Sequence, residues 1–111
     1  GDAGAQFLLG AMYHQGEGVP QDFAEAVWWY RQAAEQGLAD AQHRLGAGYA
    51  SGRGVPQDYV EAHKWANLAA AQVTGGARDA AVELRDRVAV AMTPAQIAEA
   101  QQLAREWRPA N

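Results

Sequence analysis

The septet Gly16-Glu17-Gly18-Val19-Pro20-Gln21-Asp22 returns thirty-six residues later as Gly52-Arg53-Gly54-Val55-Pro56-Gln57-Asp58. Superimposed at that offset, segments 1–36 and 37–72 agree at about twenty positions. A fixed period of roughly 20–50 residues marks units that cannot hide their apolar sides alone and must stack. The chain therefore reads as one small domain, 1–111, built as an array: repeat 1 over about 1–36, repeat 2 over about 37–72, and a closing segment over about 77–108.

Within each unit the apolar spacing is helical. Ala5, Leu9 and Tyr13 stand at i, i+4 and i+8, and the spacing predicts a helix over 3–14. Ala41, Leu45 and Tyr49 predict its copy over 39–50. Gly10 and Gly46 sit inside these helices, where glycine costs about 1 kcal/mol relative to alanine, so another backbone is expected to approach there. Gly16 is placed to end the first helix in a left-handed conformation. Asp22 then reads as an N-cap with Glu25 completing a capping box, and Asp58 with Glu61 copies it. The second helix runs from Phe23 to about Gln36 and the fourth over 59–73. Ala26, Trp29 and Ala33 recur as Ala62, Trp65 and Ala69, so both tryptophans are expected to anchor the core. Trp28 has Lys64 as its counterpart, which points to the surface; a contact patch and packing on a neighbouring loop both explain it.

The last third leaves the repeat. Thr74-Gly75-Gly76 is a turn, and Ala77, Ala80, Leu84, Val88 and Ala91 mark a fifth helix. Thr93, Pro94 and Gln96 open a sixth with an N-cap, a proline at the first helical position and a capping glutamine. Ile97, Ala100, Leu103, Ala104 and Trp107 supply its buried stripe, and Pro109 stops it. Terminal units of a solenoid must cover its exposed end, so this helix pair reads as a C-terminal cap.

Composition narrows the function. Apolar residues make up 49% of the chain and charged residues 20%, with a formal charge of −4, which suits close-packed helices rather than disorder. No basic stripe exists for a nucleic-acid backbone. No apolar run reaches the roughly 20 residues of a membrane span. Cysteine is absent, so disulfides give no clue to the compartment; cytoplasmic, periplasmic and secreted placement all agree with the sequence. The chain opens in mid-pattern, with Gly1, Ala3, Ala5 and Gln6 matching Gly37, Ala39, Ala41 and Gln42, which reads as an excerpt with room upstream for further repeats or an export signal.

The pattern carried by Ala5, Leu9, Gly10, Tyr13, Gly16, Gly18, Val19, Asp22, Ala26, Trp29, Ala33 and Ala34 resembles the Sel-one-like repeat (SLR) family, which is related to tetratricopeptide repeats. The second copy carries it on Ala41, Leu45, Gly46, Tyr49, Gly52, Gly54, Val55, Asp58, Ala62, Trp65, Ala69 and Ala70. The tail from Met92 to Trp107 is similar to the closing segment of bacterial members. The resemblance implies an all-α fold, a right-handed α-α superhelix of antiparallel helix pairs whose first helices line a concave groove. It also implies an adaptor or scaffold for a protein or peptide partner and brings no catalytic residue. A secreted branch with a disulfide in each repeat does not apply to a chain without cysteine.

The residues themselves offer little chemistry. Ser51 sits beside a glycine loop with no base at useful spacing, and Thr93 is a cap. His14, His43 and His63 fall on different elements without metal-site spacing. The Gly-x-Gly loops follow helices and lack lysine, so phosphate cradling is not expected. No cofactor, metal or catalytic set is assigned.

What differs between the copies is left to specify a partner. Opposite the inward leucines lie Gly4, Phe7, Ala11 and His14, then Asp40, His43, Ala47 and Ala50, then Asp79, Val82 and Asp86, flanked by Gln15, Arg44 and Glu83. This strip, with Trp28 beside it, is the expected partner surface; a solvated face without ligand is the plain alternative. Phe7 and Leu8 have a second possible place against a preceding repeat, through which the array would extend or self-associate.

Overall fold

The structure, a computed structural model, describes residues 1–110. Six helices follow in order: α1 (Ala3–Gln15), α2 (Phe23–Glu35), α3 (Ala39–Ser51), α4 (Tyr59–Ala70), α5 (Gly75–Ala89) and α6 (Pro94–Glu106). No strand occurs among the described residues. Gly16 and Gly52 end α1 and α3 with φ of 74° and 73°, and their N–H groups donate back to the Met12 and Gly48 carbonyls. A Cβ would strain that left-handed turn.

The N-caps form as expected, but two of the three boxes are only half built. The Asp22 carboxylate accepts from the Glu25 N–H and the Asp58 carboxylate from the Glu61 N–H, each at 3.1 Å. The reciprocal bonds are missing because the Asp22 and Asp58 N–H groups donate to the Tyr13 and Tyr49 carbonyls of the preceding helices. Tertiary geometry thus supplies the acceptor, and Glu61 is free to pair with Lys64 at 3.2 Å. At Thr93 and Gln96 no earlier helix competes, and the full box closes with bonds of 2.9 and 3.1 Å. The closing helices also shift in extent. α4 stops at Ala70, and α5 begins two residues earlier than Ala77 and ends at Ala89.

Sequence neighbours pack on each other in turn: α1 on α2, α2 on α3, α3 on α4, and α4 on both α5 and α6. Gly10 and Gly46 mark the tight crossings. A Cβ on Gly10 would stand 2.7 Å from the Tyr30 ring, and one on Gly46 would stand 3.2 Å from the Ala62 carbonyl. The tightest burial runs through the middle of the array, where Ala33 and Ala34 of α2, Ala41 and Leu45 of α3, Trp65 and Ala66 of α4 and Ala100 of α6 are closed off. Trp107 of α6 meets the Trp65 ring edge-on at 6.0 Å between centroids. This is how the last helix seals the array.

Identical residues in the two repeats are not equally buried. Ala41, Leu45 and Tyr49 are covered by α2, whereas Ala5 is exposed and Leu9 and Tyr13 are only half-buried. No second helix pair among the described residues covers that side of α1, so the same inward pattern stays partly open there. The tryptophans follow the same logic: Trp65 is fully closed off, while Trp29 keeps partial exposure.

A pair of glutamines recurs with the core. Gln36 Nε2 donates to Gln6 Oε1 and Gln72 Nε2 to Gln42 Oε1, both at 2.6 Å. Gln42 is fully buried and donates in turn to the Ala34 carbonyl at 3.3 Å. Its amide is therefore satisfied on both sides, as a buried polar group requires.

Removing the closed-off ring should be costly. Trp65→Ala is expected to lower the unfolding free energy by about 3–5 kcal/mol, with Trp29→Ala costing less than half as much, both read from urea denaturation.

Candidate interaction groove

The odd helices carry small residues where they face each other. α3 presents Ala47, Gly48 and Ala50 beside α5, and it touches α5 only sparingly. That leaves a groove of about 550 Å³ opening between α1, α3 and α5. Its floor is apolar, formed by Ala26, Val27 and Tyr30 of α2 with Leu84 and Val88 of α5. Phe23 and Tyr59, the first residues of α2 and α4, stand at its mouth. Phe23 packs against the His14 ring at 5.4 Å and under the Arg53 guanidinium at 4.9 Å.

The rim is cationic. Arg44 of α3, Arg53 of the α3–α4 loop and Arg87 of α5 all line the groove. Among the described residues, the side-chain ion pairs are Lys64 with Glu61 and Arg85 with Asp86, so none of these three arginines has a carboxylate partner. Their fields reach inward. Burial and then Arg44 push the His43 imidazole below its ordinary value; Asp40 opposes them and Arg87 adds to them. Burial raises the Tyr30 phenol, and Arg44 draws it back.

Of the residues expected to face a partner, His14, Arg44, Ala47 and Ala50 line this groove. Phe7 turns inward instead, its ring 5.5 Å from that of Tyr30 and packed on the core. His43 is half-buried next to Arg44 but outside the lining, and Asp40 is exposed at the start of α3. Asp79, Glu83 and Asp86 are exposed on α5 away from the groove, with Asp86 held by Arg85 at 3.2 Å. Trp28 is 51% exposed and packs edge-on against Trp29 at 4.9 Å, beside Asp22, Ala24 and Glu25 in a separate shallow depression.

On α3 the groove keeps Ala47 and Ala50 of the strip opposite the leucine and adds Arg44 and Gly48, whereas on α5 it takes the side of Leu84, Arg87 and Val88, away from Asp79, Val82 and Asp86. A helix in this array is covered on two sides, by its own partner and by the neighbouring unit, so its open face does not lie diametrically opposite one buried residue. Arg53, Arg87, Phe23 and Tyr59 were the residues that sequence reasoning passed over. Two signals pointed to them: an aromatic residue at the same position of both repeats (Phe23, Tyr59), and an arginine one turn after Leu84.

Among the described residues, no three His, Asp or Glu side chains converge as a metal site would require, and no helix is long and apolar enough to cross a membrane. Stacked antiparallel helix pairs enclosing a groove define a helical-repeat scaffold of the tetratricopeptide-like kind. The chain belongs to the Sel1 repeat family, which matches residues 3–38 and 39–73, each match beginning at the first residue of an odd helix. It is similar to a protective antigen present in uropathogenic Escherichia coli strains that displays an SLR fold, with 37% identity and a TM-score of 0.88 over 96% of this chain. It is also similar to a Sel1 repeat protein from Oxalobacter formigenes, with 30% identity and a TM-score of 0.65 over 95% of this chain. The chain spans 22% of the length of the first and 50% of the second. No curated protein matches it. Sel1 repeat proteins serve generally as protein-interaction scaffolds, and their fold is a non-catalytic helical framework.

One buried histidine gives the domain a pH dependence. His63 of α4 is 4% exposed, its Nδ1 has no partner, and its repeat-1 counterpart is Val27. Burial and then Arg85 hold its imidazole below the ordinary value, against a weaker pull from Asp86. The unfolded chain therefore takes up the proton more readily, and stability falls as pH drops through about 6.5 until the lower folded value is passed. His63→Val should flatten that slope between about pH 7.5 and 5.5, leaving only the share of His43, as measured by urea denaturation across the range.

Proposed function

We propose that this domain is a protein-interaction module that seats a partner polypeptide in the groove between α1, α3 and α5 and performs no chemistry of its own. The observation that carries this reading is the groove itself: an apolar floor of Val27, Tyr30, Leu84 and Val88, open to solvent and rimmed by long cationic side chains. An apolar cleft with a few placed polar groups is the usual form of a binding site. The family's general role as an interaction scaffold supports it. His14, Arg44, Ala47 and Ala50 carry the expected partner surface into the groove; Trp28, Phe7, Asp40, His43, Asp79, Glu83 and Asp86 lie outside it.

Ala47→Trp fills the groove from a position that is only half-buried. Affinity capture from the native host with the wild-type domain and with this variant, compared by mass spectrometry, is expected to lose the specific partner while circular dichroism stays unchanged. Equal capture by both baits would count against the groove.

A second reading has its own support. Leu8 is 63% and Met12 37% exposed on α1, beside the open Ala5, Leu9 and Tyr13. Such a patch favours self-association or extension of the array through α1. Sedimentation at rising concentration should then show association that the double change Leu8→Lys, Met12→Lys abolishes; a monomer at every concentration would remove this reading.

A further inference from the structure

We infer that the groove takes an acidic peptide, with carboxylates set on Arg44, Arg53 and Arg87 and an apolar side chain between them on the floor; this rests on the groove being the binding site. The argument begins with charge. The chain carries 13 acidic residues against 9 lysines and arginines. Lys64 and Arg85 take the two side-chain ion pairs among the described residues, and Arg31, Arg78, Arg105 and Arg108 donate to hydroxyl, carbonyl or amide oxygens, whereas Arg44, Arg53 and Arg87 have neither kind of partner there. These three, drawn from α3, the following loop and α5, converge on one cleft. The lining holds these three arginines and no aspartate or glutamate, so its charge is opposite in sign to that of the whole chain, and apolar walls strengthen such a charge.

The geometry is prepared for a planar anion. Arg53 lies over the Phe23 ring at 4.9 Å, a contact that favours this position of its guanidinium beside the cleft. A guanidinium presents paired N–H donors that match the two oxygens of a carboxylate. Arg44 and Arg87 line the same cleft from two different helices, α3 and α5. Between the arginines the cleft is floored by Val27, Leu84 and Val88. Charge alone would suit many anions; charge around an apolar floor suits a polypeptide whose acidic residues flank an aliphatic or aromatic one. A polyphosphate chain is the poorer fit. It has no apolar group for the floor of Val27, Leu84 and Val88.

The test uses a phage-displayed library of random peptides selected on the immobilised domain. A fluorescein-labelled copy of the best binder is then titrated by anisotropy. The enriched peptides are expected to carry net negative charge around an apolar residue. Their affinity should fall about tenfold or more in Arg44→Gln, Arg87→Gln, weaken further as salt is raised, and fall in the same way when the peptide carboxylates become amides. Arg44 and Arg87 are exposed, so the double variant should keep the wild-type circular dichroism. Neutral or basic peptides that bind the wild type and are blocked by Ala47→Trp would overturn the acidic assignment and leave the groove standing. Peptides indifferent to Ala47→Trp, or no enrichment at all, would overturn both. Displacement of the peptide by oligo-dT at lower concentration than by unlabelled peptide would assign the arginines to a polyphosphate and overturn the inference.

Discussion

Close backbone approach between paired helices is the constraint on which the rest of this domain depends. Where α1 crosses α2 and α3 crosses α4, a glycine stands under a tyrosine ring or a carbonyl that a Cβ would crowd. A thirteen-residue helix is too short to hold itself in water. It is stable here because the crossing lets alanines on both partners reach van der Waals contact, and the next unit then closes over the pair. Alanine dominates the core for the same reason, since larger side chains would push the crossings apart. Trp65 is the exception. It fills the space at the end of the array, where α6 lays Trp107 against it.

The polar groups inside this packing are used twice. The glutamine pairs tie the end of each second helix to the start of its own first helix, and Gln42 also reaches the carbonyl of Ala34 in the repeat before. One side chain therefore links three helices without leaving a buried donor unpaired. The half-built capping boxes follow the same economy: the N–H groups of Asp22 and Asp58 turn to tyrosine carbonyls of the preceding helices. Each repeat is thereby locked to its own first helix at both ends, which fixes the angle between the helices and so the width of the groove.

The groove follows from the same small residues. Ala47, Gly48 and Ala50 leave α3 thin on the side facing α5, and a cleft opens where bulkier side chains would have filled it. Arginines line it because three positions outside the repeat pattern happen to point there. Arg53 replaces Glu17, Arg44 replaces Leu8, and Arg87 belongs to a helix that has left the repeat altogether. Conformity between the copies builds the frame; divergence between them gives the cleft its charge. His63, standing where Val27 stands in the first repeat, is a divergence turned inward, and its cost appears as sensitivity to acid.

The period of thirty-six residues, the glycine loops and the caps determined by themselves that this chain forms stacked helix pairs, because those features are local and each admits few backbone conformations. The matching of Gly10 with Gly46 was enough to place the crossings, and Thr93-Pro94-Ala95-Gln96 was enough to start the last helix. Burial was not legible in the same way. Ala5 and Ala41 occupy the same position of the repeat, yet one faces water and the other does not, because burial depends on which unit comes before. Nor was the direction of the open face legible. A periodicity argument finds the one buried stripe of a helix, whereas a helix covered from two sides has its free face set by the angle between its neighbours. That angle brought Arg44, Arg53 and Arg87 to one cleft and turned Asp79, Glu83 and Asp86 away from it. Only the packed structure decides it, since it comes from contacts between residues far apart in the chain.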